Sequence, residues 1–251
     1  MKVKAVYDFL DFIAPFSSAA EWDNTGLSVG SLDNEVTKVL IALDVTGDVI
    51  ETALKEGADL VITHHPLIFD PVKCVDGGSL LYKAVRSGIT FISSHTCLDK
   101  AFGGVNAQLA LKVGIKDYSP CKSDDFLNIG TLCEEKALSP NEFAALLKEK
   151  LGGAVRFNDA GKPIKKVAFC SGAGGEYSSL ASSLGADALL TGDASHHHFL
   201  EASECDISLF AAGHFETENP VTDYLYALFK EQYSGELELI AYNKKSPVIT
   251  V

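Results

Sequence analysis

Shifted by 128 residues, the chain falls on itself. Segment 38–63, "KVLIALDVTGDVIETALKEGADLVIT", aligns without a gap on 166–191, "KVAFCSGAGGEYSSLASSLGADALLT", with eight of 26 positions identical. Each copy reads the same way physically. An apolar run is followed by a glycine-containing turn, a short helical pattern, a glycine suited to a helix C-terminus, and a second apolar run. That order is a β-α-β unit. A chain that carries it twice is constrained to an α/β fold of two similar domains, each a mainly parallel sheet covered by helices.

The likeness continues downstream. "ITFISSHTCLD" (89–99) is an apolar run followed by His95 and, four residues on, Asp99. "ISLFAAGHFETE" (207–218) is an apolar run followed by His214 and, four residues on, Glu218. A helical pattern follows each, "GGVNAQLALKVG" and "VTDYLYALFKEQ". The polar stretch "YSPCKSDD" (118–125) sets the expected division into domains 1–123 and 124–251, with a functional site between them. "SPNEFAALLKEKLGG" then predicts a helix with Ser139 as N-cap and Pro140 in its first turn. At the N-terminus, Val3, Val6, Phe9/Leu10 and Ile13 recur at helical spacing, and Pro15 ends the pattern. Asp8 and Asp11 interrupt that stretch and argue against a signal peptide.

Composition narrows the function classes. With 47% hydrophobic residues the chain can bury a proper core. A net charge of −13 and the lack of a basic run disfavour nucleic-acid binding, which needs Lys and Arg against phosphate. No segment approaches the length of a membrane span. The six cysteines form no C-x-x-C pair and read as reduced thiols, so a cytoplasmic protein is expected.

All seven histidines fall just past a predicted strand end: His64 and His65, His95, His196 to His198, and His214. In parallel sheets that is where ligands bind. Histidine with carboxylate and without a thiolate motif suits Zn, Mn, Fe, Ni or Co. Adjacent residues on an extended backbone point to opposite sides. One cation takes both His64 and His65 only if the chain turns at Pro66; otherwise two cations take one each, and carboxylates such as Asp99 and Glu218 can bridge them. Such a pair suits metal-assisted hydrolysis. The plainer alternative is that duplicated halves carry duplicated residues, and that His95 and Asp99 are a hydrogen-bonded pair. The "SHHHF" triplet reads as a rim or supporting feature, since three consecutive residues cannot share one helix face. "GAGGEYSSL" (172–180) is either a weak anion cradle or a tight turn. Cys97 is a soft ligand or a small buried residue, and Trp22 either packs its loop or touches substrate.

Together "EWDNTGLSVG", "ADLVITHHPLIF", "SSHTCLDKAFGGVNAQLA" and "AAGHFETE" resemble the dinuclear-metal family of GTP cyclohydrolase 1 type 2 homologs, the NGG-one-interacting-factor-three-like proteins. The motifs span residues 21 to 218, in a short form without an inserted domain. The resemblance implies two divalent ions per chain, held by His64, His65, Asp99, His214 and Glu218. It makes His95 a contact to substrate or to the ligands, and His95 and Glu218 are the expected catalytic residues. It also implies a toroidal homohexamer, a trimer of dimers. Its activity label points to a nucleotide or phosphoester as substrate. Two further roles are compatible: a metal-handling protein without catalysis, and an interaction scaffold. The chain departs from the family pattern at Cys97, commonly Asn, at Phe215, often a second His, and at "LNIG" (127–130), often Gly-Arg-x-Gly.

Overall fold

The computed structural model describes residues 1–242 and 246–249. In chain order the elements are α1 (Val3–Ile13), β1 (Gly26–Val29), β2 (Lys38–Ala42), α2 (Gly47–Glu56), β3 (Leu60–Thr63), α3 (Leu80–Ser87), β4 (Thr90–Ser93), α4 (Thr96–Lys100), α5 (Val105–Val113), β5 (Ile115–Pro120) and β6 (Asn128–Leu132). There follow α6 (Pro140–Leu151), β7 (Arg156–Phe157), β8 (Lys166–Ala173), α7 (Ser178–Ser183), β9 (Ala188–Asp193), α8 (His196–Glu204), β10 (Ser208–Ala211), α9 (His214–Glu218), α10 (Pro220–Gln232) and β11 (Glu238–Ala241).

Two compact units result. One comprises Met1–Gly104 with Val221–Lys245; the other comprises Val105–Pro220 with Ser246–Val251. This differs from the expected boundary near residue 124 at both ends. Strand β5 pairs antiparallel with β6 and so joins the second sheet. After α9 the chain returns to the first unit. There Phe229 of α10 and Tyr233 just past its end pack edge-on against Phe9 at 5.3 and 5.6 Å, and the Tyr233 hydroxyl donates to Ala5 O (3.0 Å). Strand β11 then extends the first sheet beside β2. Helix α5 makes the opposite crossing, burying Leu109, Ala110 and Val113 in the second core.

The first sheet has the order β1-β4-β3-β2-β11, parallel except for β1. It is the mainly parallel sheet expected. The second, β5-β6-β8-β9-β10-β7, is more mixed: only β8/β9 and β9/β10 are parallel, and three antiparallel pairings flank them. The central strands are buried along their length, which is why they read as continuous apolar runs.

The shift by 128 is carried by the hydrogen bonds within each unit. Strands β2 and β3 pair Val39 with Leu60 through Ala42 with Thr63; β8 and β9 pair Val167 with Ala188 through Cys170 with Thr191. Asp59 accepts from the amides of Thr37 and Lys38 (2.8 and 3.0 Å), and Asp187 accepts from those of Lys165 and Lys166 (3.0 and 2.8 Å). Lys38 Nζ reaches Glu56 O and Lys166 Nζ reaches Leu184 O (2.9 and 2.7 Å). These bonds tie the end of a helix to the start of a strand and fix the β-α-β turn.

Helix ends follow the local chemistry. Thr46 and Ser79 cap α2 and α3, and Gly57 and Gly88 end them in the left-handed region. Ser139 and Glu142 form the capping box of α6, with Pro140 at its start.

Burial alone would raise the Asp59 carboxyl, but its hydrogen bonds from Thr37 and Lys38 outweigh this and lower its pKa below the usual value. Asp59→Ala is therefore expected to cost about 1–2 kcal/mol at neutral pH in urea unfolding. Because the folded pKa is depressed, this stability is present above the unfolded Asp pKa of about 3.9 and is lost as pH falls through the folded value. The difference between wild type and variant should shrink over that acid range. An unchanged difference there would exclude the carboxylate as its source.

Candidate metal centre

In the first unit, two histidines follow β3. The chain bends at His64 and His65, so the rings converge instead of splaying, with centroids 4.8 Å apart. His64 is fully buried, and its Nδ1 donates to Ser94 O at the end of the neighbouring strand β4 (3.0 Å). His65 reaches the other neighbour: its Nδ1 donates to Asp44 Oδ1 just past β2 (2.7 Å), and its amide donates to Leu43 O (3.0 Å). The parallel register of three strands thus sets both rings.

His95 stands at the N-cap position of α4. Its Nδ1 donates to Asp23 Oδ1 (2.8 Å), while Asp23 Oδ2 accepts from the Thr96 amide and hydroxyl (3.0 and 2.5 Å). Burial pushes the Asp23 carboxyl up. The hydrogen bonds from His95 and Thr96 outweigh it and hold the pKa at about 2. His95 Nδ1 is therefore bound to Asp23 and not to Asp99, the partner in the alternative reading of the sequence. Asp99 instead faces His64, with Oδ1 3.6 Å from Nε2. Metal-binding atoms of His64, His65 and His95 lie within 4.8 Å of one another.

In the second unit, Gly213 leads from β10 into α9. His214 Nδ1 donates to Asp193 Oδ2 at the end of β9 (2.8 Å), and His214 Nε2 lies 3.1 Å from Oε2 of the buried Glu218. Two glycines admit this helix. Gly172 has φ +61°, and a Cβ there would overlap the Glu218 carboxylate; a Cβ on Gly192 would come within 2.8 Å of His214 Cα. The glycines of "GAGG" thus allow close approach of side chains. Gly175 likewise lies directly against the His198 ring.

The two H-x-x-x-D/E pairs are not equivalent. Strand β4 pairs Thr90 with Leu60, and β10 pairs Ser208 with Ala188. His95 therefore corresponds to Gly213, and Thr96 to His214. One helical position is a rotation of about 100°, so the matching motifs present their residues differently.

A common rule governs all four histidines. A carbonyl only accepts hydrogen bonds, and so does an ionised carboxylate. Nδ1 therefore carries a proton in His64, His65, His95 and His214, and Nε2 is the atom that each can offer to a cation. Binding one ring nitrogen to a carbonyl or carboxylate is how proteins orient histidines toward a metal. His214 Nε2 facing Glu218 requires positive charge, from a proton or a cation. Imidazole and carboxylate together fit a divalent cation of the Zn, Mn, Fe, Ni or Co type.

Other candidates resolve differently. Cys97 is buried beside the Ser94 and Thr25 hydroxyls (3.4 and 3.5 Å), and burial pushes its thiol up; it is a small buried residue. His196 and His197 are exposed on the first turn of α8, and His198 Nδ1 accepts from the Ser195 amide (3.2 Å) as part of the helix cap. Asp23 and Asp44 did not stand out in the sequence. Asp44 was accessible by the strand-end rule, since it follows the apolar run of β2. Asp23 lies in "EWDN", where the tryptophan draws attention.

The sequence matches the family described as Duf34/NIF3 (NGG1p interacting factor 3) over residues 1–247. It is 33% identical over 252 residues to a Clostridium perfringens protein named GTP cyclohydrolase 1 type 2 homolog, covering 96% of this chain and 95% of that one. A protein of the same name from Methanocaldococcus jannaschii is 33% identical over 250 residues, covering 95% and 97%. Among solved structures, a Staphylococcus aureus hypothetical protein superposes with a TM-score of 0.91 at 28% identity, covering 100% and 99%. Reduced HcgD from Methanocaldococcus jannaschii gives 0.83 at 30% identity, covering 97% and 98%. The chain belongs to the Duf34/NIF3 family.

Proposed function

We propose that the chain is a dinuclear metal-dependent hydrolase acting on a phosphoester or nucleotide. In this reading His64, His65 and Asp99 of the first unit and His214 and Glu218 of the second together hold two divalent cations. The observation that carries it is the shared anchoring of Nδ1 in four histidines on two separate units. The names of the curated relatives point to nucleotide chemistry and support that choice of substrate class. When bound, the cations supply Lewis acidity and a water made nucleophilic at neutral pH.

The protein's own groups have distinct tasks. Asp44 and Asp193 hold the His65 and His214 rings in the tautomer that offers Nε2. His95, steadied by Asp23, receives or returns a proton at Nε2 during hydrolysis. Glu218, buried against His214, keeps its carboxylate fixed toward the centre.

One observation favours a second reading, metal handling without catalysis. Metal-binding atoms of His64, His65 and His95 lie close enough to surround one ion. If His95 joins His64, His65 and Asp99 as a fourth ligand of one ion, no open position remains for substrate.

Elemental analysis of protein purified without chelator or tag metal, with a phosphoester and nucleotide panel, tests both. About two cations per chain and turnover are expected. His65→Ala should lose metal and turnover. Asp44→Ala and Asp193→Ala should weaken metal affinity by about 10–100-fold. His95→Ala should keep the metal and lower kcat by about 10²–10⁴-fold. Loss of metal in His95→Ala, without turnover in wild type, supports the handling reading, and a metal-free wild type refutes both.

Assembly into a homohexamer, a trimer of dimers, belongs to the same proposal. Phe12, Phe102 and Leu111 are exposed, Phe102 completely, and association would cover such surface. Light scattering at micromolar concentration should give a mass near six chains. A monomer at all concentrations would remove the oligomer from the account. Among the described residues no helix is long and apolar enough to cross a membrane. The free cysteines suit a reducing compartment, and on that ground we propose a cytoplasmic location.

A further inference from the structure

Trp22 is the only tryptophan in the chain, and it is 61% exposed. Phe69 beside it is 51% exposed. Their ring centroids lie 5.6 Å apart with a tilt of 44°. Both rings also meet the His95 imidazole, at 6.0 and 6.1 Å. Keeping two large aromatic rings in water is unfavourable, and a loose loop would fold them inward.

The loop is not loose. Ala20 N donates to Thr96 Oγ1 (2.9 Å), and Asp23 is fixed by His95 and Thr96. Asn24 Nδ2 donates to Ile68 O (2.7 Å), which ties the Trp22 loop to the residue preceding Phe69. Thr25 Oγ1 donates to Ser93 O (3.1 Å). Residues on both sides of Trp22 are thus anchored, and the aromatic pair is held out beside His95.

We propose that Trp22 and Phe69 form a stacking platform for a planar nitrogen heterocycle of the purine type. The polar edge of the bound ring would lie toward His95. Two half-exposed rings are far too small for a stable protein interface, which buries on the order of 1,200–2,000 Å². They match the face of one ring system, and stacking on aromatic side chains tolerates any base with a π-face. That this ring belongs to the substrate rests on the proposed hydrolase reading; the platform itself does not.

The single tryptophan reports on its own site. Guanosine and adenosine are titrated into metal-free and metal-loaded protein, with fluorescence excited at the red edge of the indole band and calorimetry alongside. Saturable quenching is expected, with ribose alone inert. Phe69→Leu keeps apolar bulk without a π-face and should weaken binding about tenfold, with Phe69→Tyr close to wild type. Trp22→Ala should abolish the calorimetric signal at unchanged metal content. No saturable binding up to millimolar nucleoside, or equal affinity in Phe69→Leu, overturns the platform. So does a change of mass in light scattering for Trp22→Ala at unchanged nucleoside affinity, which would mark this face as a contact between copies. Metal uptake is measured separately, so nucleoside binding by a wild type that takes up no metal would sink the hydrolase reading and leave the platform standing.

Discussion

The candidate centre depends on how each imidazole is held from behind. A histidine at a strand end can rotate, change tautomer and turn into solvent. Here Ser94 O, Asp44, Asp23 and Asp193 each accept a hydrogen bond from Nδ1 of one ring, at 2.7 to 3.0 Å. The backbone that places these acceptors is the parallel ladder itself. Ser94 follows β4, Asp44 follows β2 and Asp193 ends β9, so ring orientation is inherited from strand register. The fold and the chemistry are therefore linked through a few short hydrogen bonds. The carboxyl edge of each sheet is where that link must lie.

The two units share structural bonds and differ at their sites. The shift of 128 preserves the structural bonds, such as those of Asp59 and Asp187 to the strand amides. It does not preserve the site residues. The position of His65 is occupied in the second unit by Asp193, which orients His214 instead of acting as a histidine. The position of Asp44 is occupied by Gly172, and the space a side chain would fill holds the Glu218 carboxylate. The first unit thus presents histidines from a strand end, and the second presents a histidine and a glutamate from a helix.

Much of this was legible in the sequence, and the exceptions have physical causes. The β-α-β repeat, the caps of α6, the amphipathic α1 and the strand-end histidines all depend on local pattern, and local pattern is printed in the chain. The pairing of His95 with Asp23 is not, because 72 residues separate them. The false twinning of His95 with His214 arose from equal spacing within two motifs, while strand register, a long-range property, offsets them by one residue. Strand β5 read as a polar turn because it is an edge strand, exposed at every residue after Ile115. The crossings of α5 and α10 are also hidden. An apolar helix face shows that a helix packs, and says nothing of which sheet receives it. Sequence likewise left "GAGG" open between an anion cradle and a turn, because close approach of Glu218 and His198 to glycine is visible only in three dimensions.

The central claim is that the fold holds four imidazoles with a proton fixed on Nδ1, so that Nε2 is the atom each offers to a cation. Long-range ¹H–¹⁵N NMR of the metal-free protein, above the pH at which histidines ionise, reads this directly. Imidazole in water prefers the opposite tautomer. The account predicts Nδ1–H signals for His64, His65, His95 and His214, and the Nε2–H form for His198, whose Nδ1 accepts a backbone amide. Addition of Zn²⁺ should then shift the Nε2 resonances of His64, His65 and His214. The ordinary Nε2–H tautomer at those three residues, unmoved by the metal, would contradict the account.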